Sequence, residues 1–470
     1  MKTLSRSMNW TCAATALACA PLSEAAPPPT ANDPVTDKPN VIFVLADDLG
    51  YGDLGYTGSP YAHTPNLDRF AAESLQFTSA YAPSPQCSPT RAAILTGQYP
   101  ARLHITTWIG GQKTDQYKGM TLPRQRRSLR GDVFTAAEHF RSVGYTTAQV
   151  GKWHLGSDPN EPARVGFDHT IGFSSGAGPG HGDDWFGPYP KVKDLDGPSD
   201  EYITDRLTTE AVSFIENHRD EPFFLMFQHY DPHAPLVAPE DRVQRYVDMG
   251  RPKAKGPMNA TYLAMIESID IGFGRLMEAI DEAGLTDRTI VVFFSDNGAV
   301  SWHGRNAPYR GEKKTFYEGG IRVPLFVRVP GMTKPGSVCD VPVNGVDFLP
   351  TFVELTGGDV SAIAAPLDGV SLMPLLRGGD ALDREAMYWH HPALSRHYAE
   401  IPPQGVVREG PWKLIDYYGD HRSDELYHIV NDPSEEYDLA GEYPERVQQM
   451  REMLQEHLEA VDAQRVSMLN

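Results

Sequence analysis

Acidic and amide side chains recur in this sequence where apolar runs stop. The run 41–46 gives way to Asp47-Asp48, and the run 289–294 to Ser295-Asp296-Asn297-Gly298. A third run, 223–227, leads into Gln228-His229-Tyr230-Asp231-Pro232-His233. Three carboxylates and a carboxamide gathered in one place repel one another unless a cation sits among them. A ligand set made only of oxygen selects a hard ion, and calcium is expected ahead of magnesium. Each acid alone reads as readily as the cap of a helix that follows its run, a reading that weakens when acids occur at two run ends.

A second set of residues offers a nucleophile and positive charge. In Cys87-Ser88-Pro89-Thr90-Arg91, followed by Ala92-Ala93-Ile94-Leu95-Thr96-Gly97, Ser88 suits a helix cap, Pro89 the first helical position and Gly97 the stop. Cys87 is thereby expected at a helix N-terminus, where unpaired N–H groups and the helix dipole favour an anion. Arg91 falls in the first turn, where the dipole discourages a cation, so an anionic partner explains it best. In Gly151-Lys152-Trp153-His154, an extended backbone would project Lys152 and His154 to one side, a point cation beside a proton carrier. Gly311-Glu312-Lys313-Lys314 is a further source of cations, although Lys152 or Lys313 taken alone reads as a solvated surface lysine.

Buried strands must hold these groups. The runs 41–46, 223–227, 289–294 and 323–329 are continuously apolar rather than alternating, the pattern of strands covered on both faces. Helical patterns lie between them at 64–73, 133–143, 204–217 and 262–283, the last stopped by Gly284. Strand and helix alternate, which predicts an α/β fold with a large, mainly parallel sheet sandwiched by helices. Parallel strands carry their C-terminal ends to one edge, where open α/β sheets bind ligands. Beyond about Arg377 the texture changes to short aromatic-rich segments; 412–416 and 425–427 read as antiparallel strands and 444–462 as a last helix. The expected division is a catalytic domain over 39–377 and a smaller C-terminal α+β subdomain over 378–470.

A chain of 470 residues, 40% hydrophobic, buries a sizeable core without difficulty. Its formal net charge of -20 argues against nucleic acid or an anionic membrane surface as the main partner. An anionic substrate therefore needs a strictly local cationic pocket. Lys2 and Arg6, an apolar stretch over 10–22 and the small residues around Ser23-Glu24-Ala25-Ala26 read as a signal peptide over 1–25, followed by a linker over 26–38. The apolar stretch is too short to span a bilayer and no later one is long enough, so a periplasmic or secreted protein is expected, with lipid anchoring at Cys19 a minor alternative. With Cys12 and Cys19 removed, Cys87 and Cys339 are too few for a disulfide framework. A thiol in an exported protein invites oxidation, so Cys87 needs a chemical reason to exist.

Taken together and in this order, the motifs resemble those of the formylglycine-dependent sulfatases of the arylsulfatase and N-acetylgalactosamine-6-sulfatase type, in the alkaline phosphatase superfamily. The run 87–91 with Leu95-Thr96-Gly97 matches the family's modification motif, and the run 144–156 its second signature. Pro39-Asn40, the run 47–53, Asp296-Asn297-Gly298 and Tyr317-Glu318-Gly319-Gly320 match further blocks; the runs 408–414 and 432–435 extend the likeness into the subdomain. The resemblance implies hydrolysis of sulfate esters, with Cys87 converted to formylglycine (3-oxoalanine) by a formylglycine-generating enzyme. It implies one Ca2+ held by Asp47, Asp48, Asp296, Asn297 and an oxygen of the modified Cys87. It implies too that Arg91 and Lys152 hold the hydrated aldehyde, that His154 is the base releasing sulfate, that His233 lies on the substrate side and that Lys313 stands near the leaving oxygen. His229 and Lys314 are the neighbours most easily confused with the last two. The substrate class implied is a sulfated carbohydrate or an aryl sulfate. The chemistry is coherent, because an ordinary serine would form a sulfate ester as stable as the substrate, whereas a geminal diol sheds sulfate by collapsing to an aldehyde.

Outside the motifs the signal thins. The run 172–200 holds His181, Trp185, Phe186 and Tyr189, rings that either stack on a sugar or form a small cluster beneath a long loop. The run 390–397, with His390, His391, Arg396 and His397, either adds cationic contacts to a polyanion or is an exposed hairpin. Arg124-Gln125-Arg126-Arg127-Ser128-Leu129-Arg130 departs from the family, where an acidic and a threonine residue are common after the counterpart of Leu122-Pro123; it reads as a solvated loop. Two rival readings stand beside the sulfatase: a phosphoester or phosphonate hydrolase on the same fold, and a non-catalytic binder of sulfated glycans should Cys87 stay a thiol.

Overall fold

Val, Ile and Phe dominate the runs 41–46 and 289–294, and such stiff or bulky side chains pack best on a pleated surface covered from both sides. A computed structural model of the protein describes residues 38–156, 161–174, 176–180, 182–396, 400–419 and 422–469. The signal peptide, nearly all of the linker, His181 and His397 lie outside the described residues. The main sheet contains β1 (Asn40–Ala46), β2 (Leu75–Phe77), β3 (Thr146–Gly151), β4 (His169–Ile171), β5 (Phe223–Gln228), β6 (Thr289–Ser295), β7 (Leu325–Arg328) and β8 (Val338–Cys339).

Their order across the sheet is β8-β2-β7-β6-β1-β5-β3-β4. From β6 to β4 all neighbours are parallel. β7 runs antiparallel to both β6 and β2, so the run 323–329 is the exception in a mixed, mainly parallel sheet. Alternate residues of β1 enter different cores. Ile42 and Val44 pack with Leu207 and Ile269, whereas Val41, Phe43 and Leu45 pack with Ile94, Phe140 and Phe352. Burial of each such side chain contributes about 1.5–3 kcal/mol.

The helices of the sandwich include α1 (Cys87–Thr96), α2 (Ala136–Ser142), α3 (Ile203–Asn217), α4 (Ala260–Glu282) and α5 (Phe348–Leu355). Side chains of α3 and α4 cover one face of the sheet, and those of α1, α2 and α5 the other. Caps fix their ends: the Thr135 hydroxyl accepts from Glu138 N at 3.1 Å at the start of α2, and the Asn259 side chain accepts from Tyr262 N at 3.1 Å at the start of α4.

The C-terminal region carries its own antiparallel sheet, β9 (Ala386–His391), β10 (Gln404–Glu409), β11 (Trp412–Tyr417) and β12 (Glu425–His428), in that order. A helix, α6 (Pro444–Ala460), lays Met450, Leu454 and Leu458 on one face of it, against Val407, Leu414 and Leu426. The other face meets the main body through Trp389, Val406, Ile415, Tyr81 and Ile321. Buried Lys413 on β11 lies 2.9 Å from Glu318 and 2.8 Å from Glu435, so the runs 317–320, 408–414 and 432–435 meet in one ion cluster. No helix among the described residues is long and apolar enough to cross a membrane.

Candidate active site

Strand register assembles the site. Ala46 of β1 pairs with Ser295 of β6, so Asp47 and Asp296 follow side by side beyond the same edge. Leu45 and Gly151 both pair with Gln228 of β5, which brings Lys152 and His229 to that edge as well. Asp48 takes a left-handed backbone, φ 66, which the short acidic residue tolerates. That turn is fixed by Asp48 N donating to Asp296 Oδ1 at 3.1 Å, with Tyr262 Oη 3.3 Å from Asp48 O. Tyr262 Oη donates to Asp53 at 2.7 Å, and Asp53 accepts from Gly50 N at 2.7 Å.

Cys87 opens α1, with extended Gln86 as the flanking residue. The helix therefore begins earlier than Ser88-Pro89 suggest. Ser88 Oγ accepts from Ile109 N at 3.1 Å, and Gln86 Oε1 from Thr107 Oγ1 at 3.0 Å and Trp108 N at 3.1 Å; these side chains hold a neighbouring loop instead of capping the helix. Gly97, at φ 63, ends α1 as expected.

Acids and cations interleave around Cys87. Arg91 donates from Nε to Asp296 Oδ2 at 3.0 Å and from Nη1 to Gln228 Oε1 at 2.9 Å, with Nη2 3.7 Å from Asp47. Lys152 pairs with Asp47. Lys313 Nζ lies 2.6 Å from Asp48 Oδ1 and 2.7 Å from its Oδ2. Asn297 Nδ2 donates to Asp48 Oδ1 at 2.8 Å. His233 approaches the same carboxylate, Nε2 to Oδ2 3.7 Å, while its Nδ1 lies 2.5 Å from Ala234 O and so carries the hydrogen. Far from being solvated, Lys152 and Lys313 are buried.

This environment sets the protonation states. Burial pushes the Cys87 thiol up, more than Lys152 and Lys313 lower it, which disfavours a thiolate. Burial and the charges of Lys152 and Arg91 hold His154 well below the ordinary imidazole range, so its ring is neutral. Burial opposes the charge on Lys313, but Asp48 outweighs it and keeps the ammonium well above its usual range. Burial likewise opposes the charge on Asp48, and Lys313 and His233 reverse it.

The donor set fits a hard cation. Asp47 Oδ1 and Asn297 Oδ1 are buried oxygens that accept no hydrogen bond among the described residues. One ligand atom from each of Asp47, Cys87 and Asp296 lies within 4.8 Å of the others, and the same holds for Asp47, Asp48 and His233. Three acid charges are already matched by Arg91, Lys152 and Lys313. A divalent ion would leave the cluster net positive and suited to an anionic ester.

The other residues singled out by sequence lie elsewhere or serve packing. His229 is buried with its ring 4.3 Å from that of Phe227. Lys314 donates its backbone N–H to Pro85 O at 2.8 Å, and burial together with Lys313 draws its ammonium down to about 8. Trp185 and Tyr189 are core residues, Trp185 stacked on Tyr202 with ring centres 6.2 Å apart, which decides the open question in favour of the cluster beneath the loop. His390 contacts Tyr418 Oη at 2.6 Å and Gln464 O at 2.7 Å, and burial lowers it to about 3 and His391 to about 4; neither adds a cation. Lys152 and His154 do not share an extended strand, because β3 ends at Gly151 and His154 turns to φ 54. The sequence reading gave Gln228 and Gln86 no role. The only signal for Gln228 is that a polar residue closes a buried apolar run.

Comparison with known proteins gives two family matches, the Sulfatase family over residues 39–358 and the N-sulphoglucosamine sulphohydrolase C-terminal family over 310–464. The chain is similar to human Arylsulfatase A, 30% identical with 89% of this chain and 87% of that protein covered. It is similar to the N-acetylgalactosamine-6-O-sulfatase of Bacteroides thetaiotaomicron, 29% identical with 89% and 93% covered. Among solved structures it resembles Ps i-CgsB in complex with k-i-k-neocarrahexaose, with TM-score 0.76, 28% identity and 90% and 93% of the two chains covered.

Proposed function

The chain belongs to the sulfatase family of the alkaline phosphatase superfamily and is a sulfuric ester hydrolase, and from that premise we propose that it removes sulfate from a carbohydrate. In this reading Cys87 acts as formylglycine, installed by a formylglycine-generating enzyme, beside one calcium ion. The observation that carries it is the meeting of Asp47, Asp296 and Cys87 within 4.8 Å, with Arg91 and Lys152 paired to the same acids. A buried thiol held in its neutral form is a poor nucleophile, which favours modification.

Asp47, Asp48, Asp296, Asn297 and the oxygen of modified Cys87 would hold the ion, which supplies positive charge against the oxygens of the transferring group. Modified and hydrated, Cys87 would supply two hydroxyls on one carbon, one to attack sulfur and carry the sulfate, the other to lose its proton and become the aldehyde oxygen as the C–O bond to that sulfate breaks. Arg91, clamped by Asp296 and Gln228, and Lys152 would fix that group and offset its charge. His154, neutral, would take the proton whose loss drives sulfate release. Lys313, kept protonated by Asp48, would stand by the leaving oxygen, and His233, with Nδ1 tied to Ala234 O, would present Nε2 to the substrate.

The N-acetylgalactosamine-6-O-sulfatase relative and the carrahexaose-bound neighbour support a carbohydrate substrate. Export through residues 1–25, and the division at 377/378 into catalytic domain and subdomain, belong to the same proposal. A screen of sulfated oligosaccharides scored by released sulfate tests the activity, and mass spectrometry of the Cys87 peptide from the native host tests the nucleophile. Faster turnover of an aryl phosphate than of an aryl sulfate, or an unmodified Cys87 in active protein, would defeat the reading.

A further inference from the structure

We propose that Arg124, Arg126, Arg127 and Lys113, around Trp108, form a subsite for a second anionic group of the substrate, a sulfate ester or a carboxylate on the sugar next to the one losing sulfate. The inference rests on the reading of the active site just given and extends it to the class of sugar. These residues line a cleft of about 570 Å³, within the usual range of small-ligand sites, about 300–1,000 Å³. Asp115 is the only acid among the lining residues, against four cations. All four are exposed, and none makes an ion pair among the described residues, whereas the adjacent Arg130 is tied to Asp132. On a chain of net charge -20, such a concentration of positive charge, with Asp132 acting on Arg126 only from outside the cleft lining, is a local field that selects anions. Arginine's planar fork matches both sulfate and carboxylate oxygens.

The segment is anchored where it needs to be. Arg126 N donates to His104 O at 2.9 Å; the Gln125 side chain accepts from Thr106 N at 2.8 Å and Thr106 Oγ1 at 2.6 Å; Gln112 accepts from Gln125 N at 3.0 Å and donates to Pro123 O at 2.8 Å. The cleft wall then reaches the active site directly. Trp108 N and Ile109 N donate to Gln86 and Ser88 on either side of Cys87, and the Trp108 ring lies 6.4 Å from the ring of His154. With Lys113 Nζ 5.9 Å from its ring, Trp108 offers an aromatic face beside a cation, a surface suited to a sugar bearing charge. A substrate seated at Cys87 would place its neighbouring ring on this wall.

The test is the triple substitution Arg124→Gln, Arg126→Gln, Arg127→Gln in the full chain. Calorimetry would measure binding of a monosulfated galactose, a disulfated galactobiose and a monosulfated disaccharide carrying a uronate. Turnover of p-nitrophenyl sulfate would be followed alongside. The wild type should bind at least one disaccharide about tenfold more tightly than the monosaccharide, and the triple variant should lose that margin. The variant should keep its affinity for the monosaccharide, its p-nitrophenyl sulfate kcat/KM and its Tm. Whichever disaccharide loses more identifies sulfate or carboxylate as the second group. A wild type with no preference for either disaccharide, or a variant that keeps the preference, overturns the subsite. Absence of sulfatase turnover in the wild type would instead strike the proposed function, since the binding arm needs no turnover.

Discussion

At the active centre each carboxylate is shared between neighbours: Asp296 with Arg91, Asp47 with Lys152, Asp48 with Lys313 and Asn297. Such sharing separates residues that the sequence leaves side by side. Lys313 holds Asp48 at 2.7 Å, whereas burial and the charge of Lys313 draw the Lys314 ammonium down to about 8, which makes it the weaker cation of the two. Lys313→Ala should lower kcat on an aryl sulfate by about 10²–10³, the usual loss when one charge-stabilising donor is removed, and Lys314→Ala by far less. Equal losses would mean that the pair has been assigned wrongly. The orphaned oxygens of Asp47 and Asn297 give a second outcome. Chelation should lower Tm and activity together and calcium should restore both, a bound ion at 100 times its Kd contributing about 2.7 kcal/mol. In Asp296→Ala the Tm should no longer respond to calcium. Residue types and run ends made most of this cluster legible in the sequence, because strand ends that share an edge are a consequence of parallel topology. Gln228 was illegible, since its role depends on facing Arg91 across 137 positions of sequence.

At the scale of elements, β3 is the strand that delivers Lys152, and apolar periodicity passes over it because Thr146, Thr147 and Gln149 interrupt the run. The direction of β7 is equally hidden, since a buried strand reads the same whichever way it runs. The start of α1 is displaced from the sequence expectation because Ser88 is held by Ile109, a contact no local pattern encodes. Gly151 is where β3 hands over to the site. It has φ 95, and a Cβ there would lie 1.9 Å from Gln228 O, a backbone atom locked in the sheet. Gly151→Ala should therefore cost on the order of 3 kcal/mol or more, combining strain and overpacking, and displace Lys152 with it. Gly331 is the control: its φ is 73 but nothing lies within 4 Å of an added Cβ. Gly331→Ala should cost about 1 kcal/mol and leave kcat unchanged. Denaturation and initial-rate measurements on the two variants check both statements, and a mild Gly151→Ala would remove the geometric argument.

Across the whole molecule, buried and half-buried histidines contribute to how stability responds to acid. Burial lowers His139 to about 4, His229 to about 3, His390 to about 3, His391 to about 4 and His457 to about 4, from an ordinary value near 6.5. They lie on different elements: His139 on α2 against Thr356 Oγ1 at 2.8 Å, His390 on β9 against Tyr418, His457 on α6 stacked on Tyr388 with ring centres 3.9 Å apart. In each case the folded state favours the neutral ring, so the unfolded chain binds more protons between about pH 6.5 and about pH 4. The histidines' share of stability should thus be fully present above about pH 6.5 and be lost as pH falls through that window, opposed by Asp53, Asp231 and Glu435, which burial pushes up to about 7, and by Asp270 and Asp416, pushed up to about 6. The main sheet and the C-terminal sheet should weaken together, because the histidines are spread over both. Tm recorded from pH 4 to 8 checks the slope. His139→Gln should flatten it by about one proton's share, the neutral amide replacing a group that must lose its charge to be buried. A pH dependence of Tm between 6.5 and 4 that is the same in His139→Gln as in the wild type would show that this ring is not held neutral by the fold.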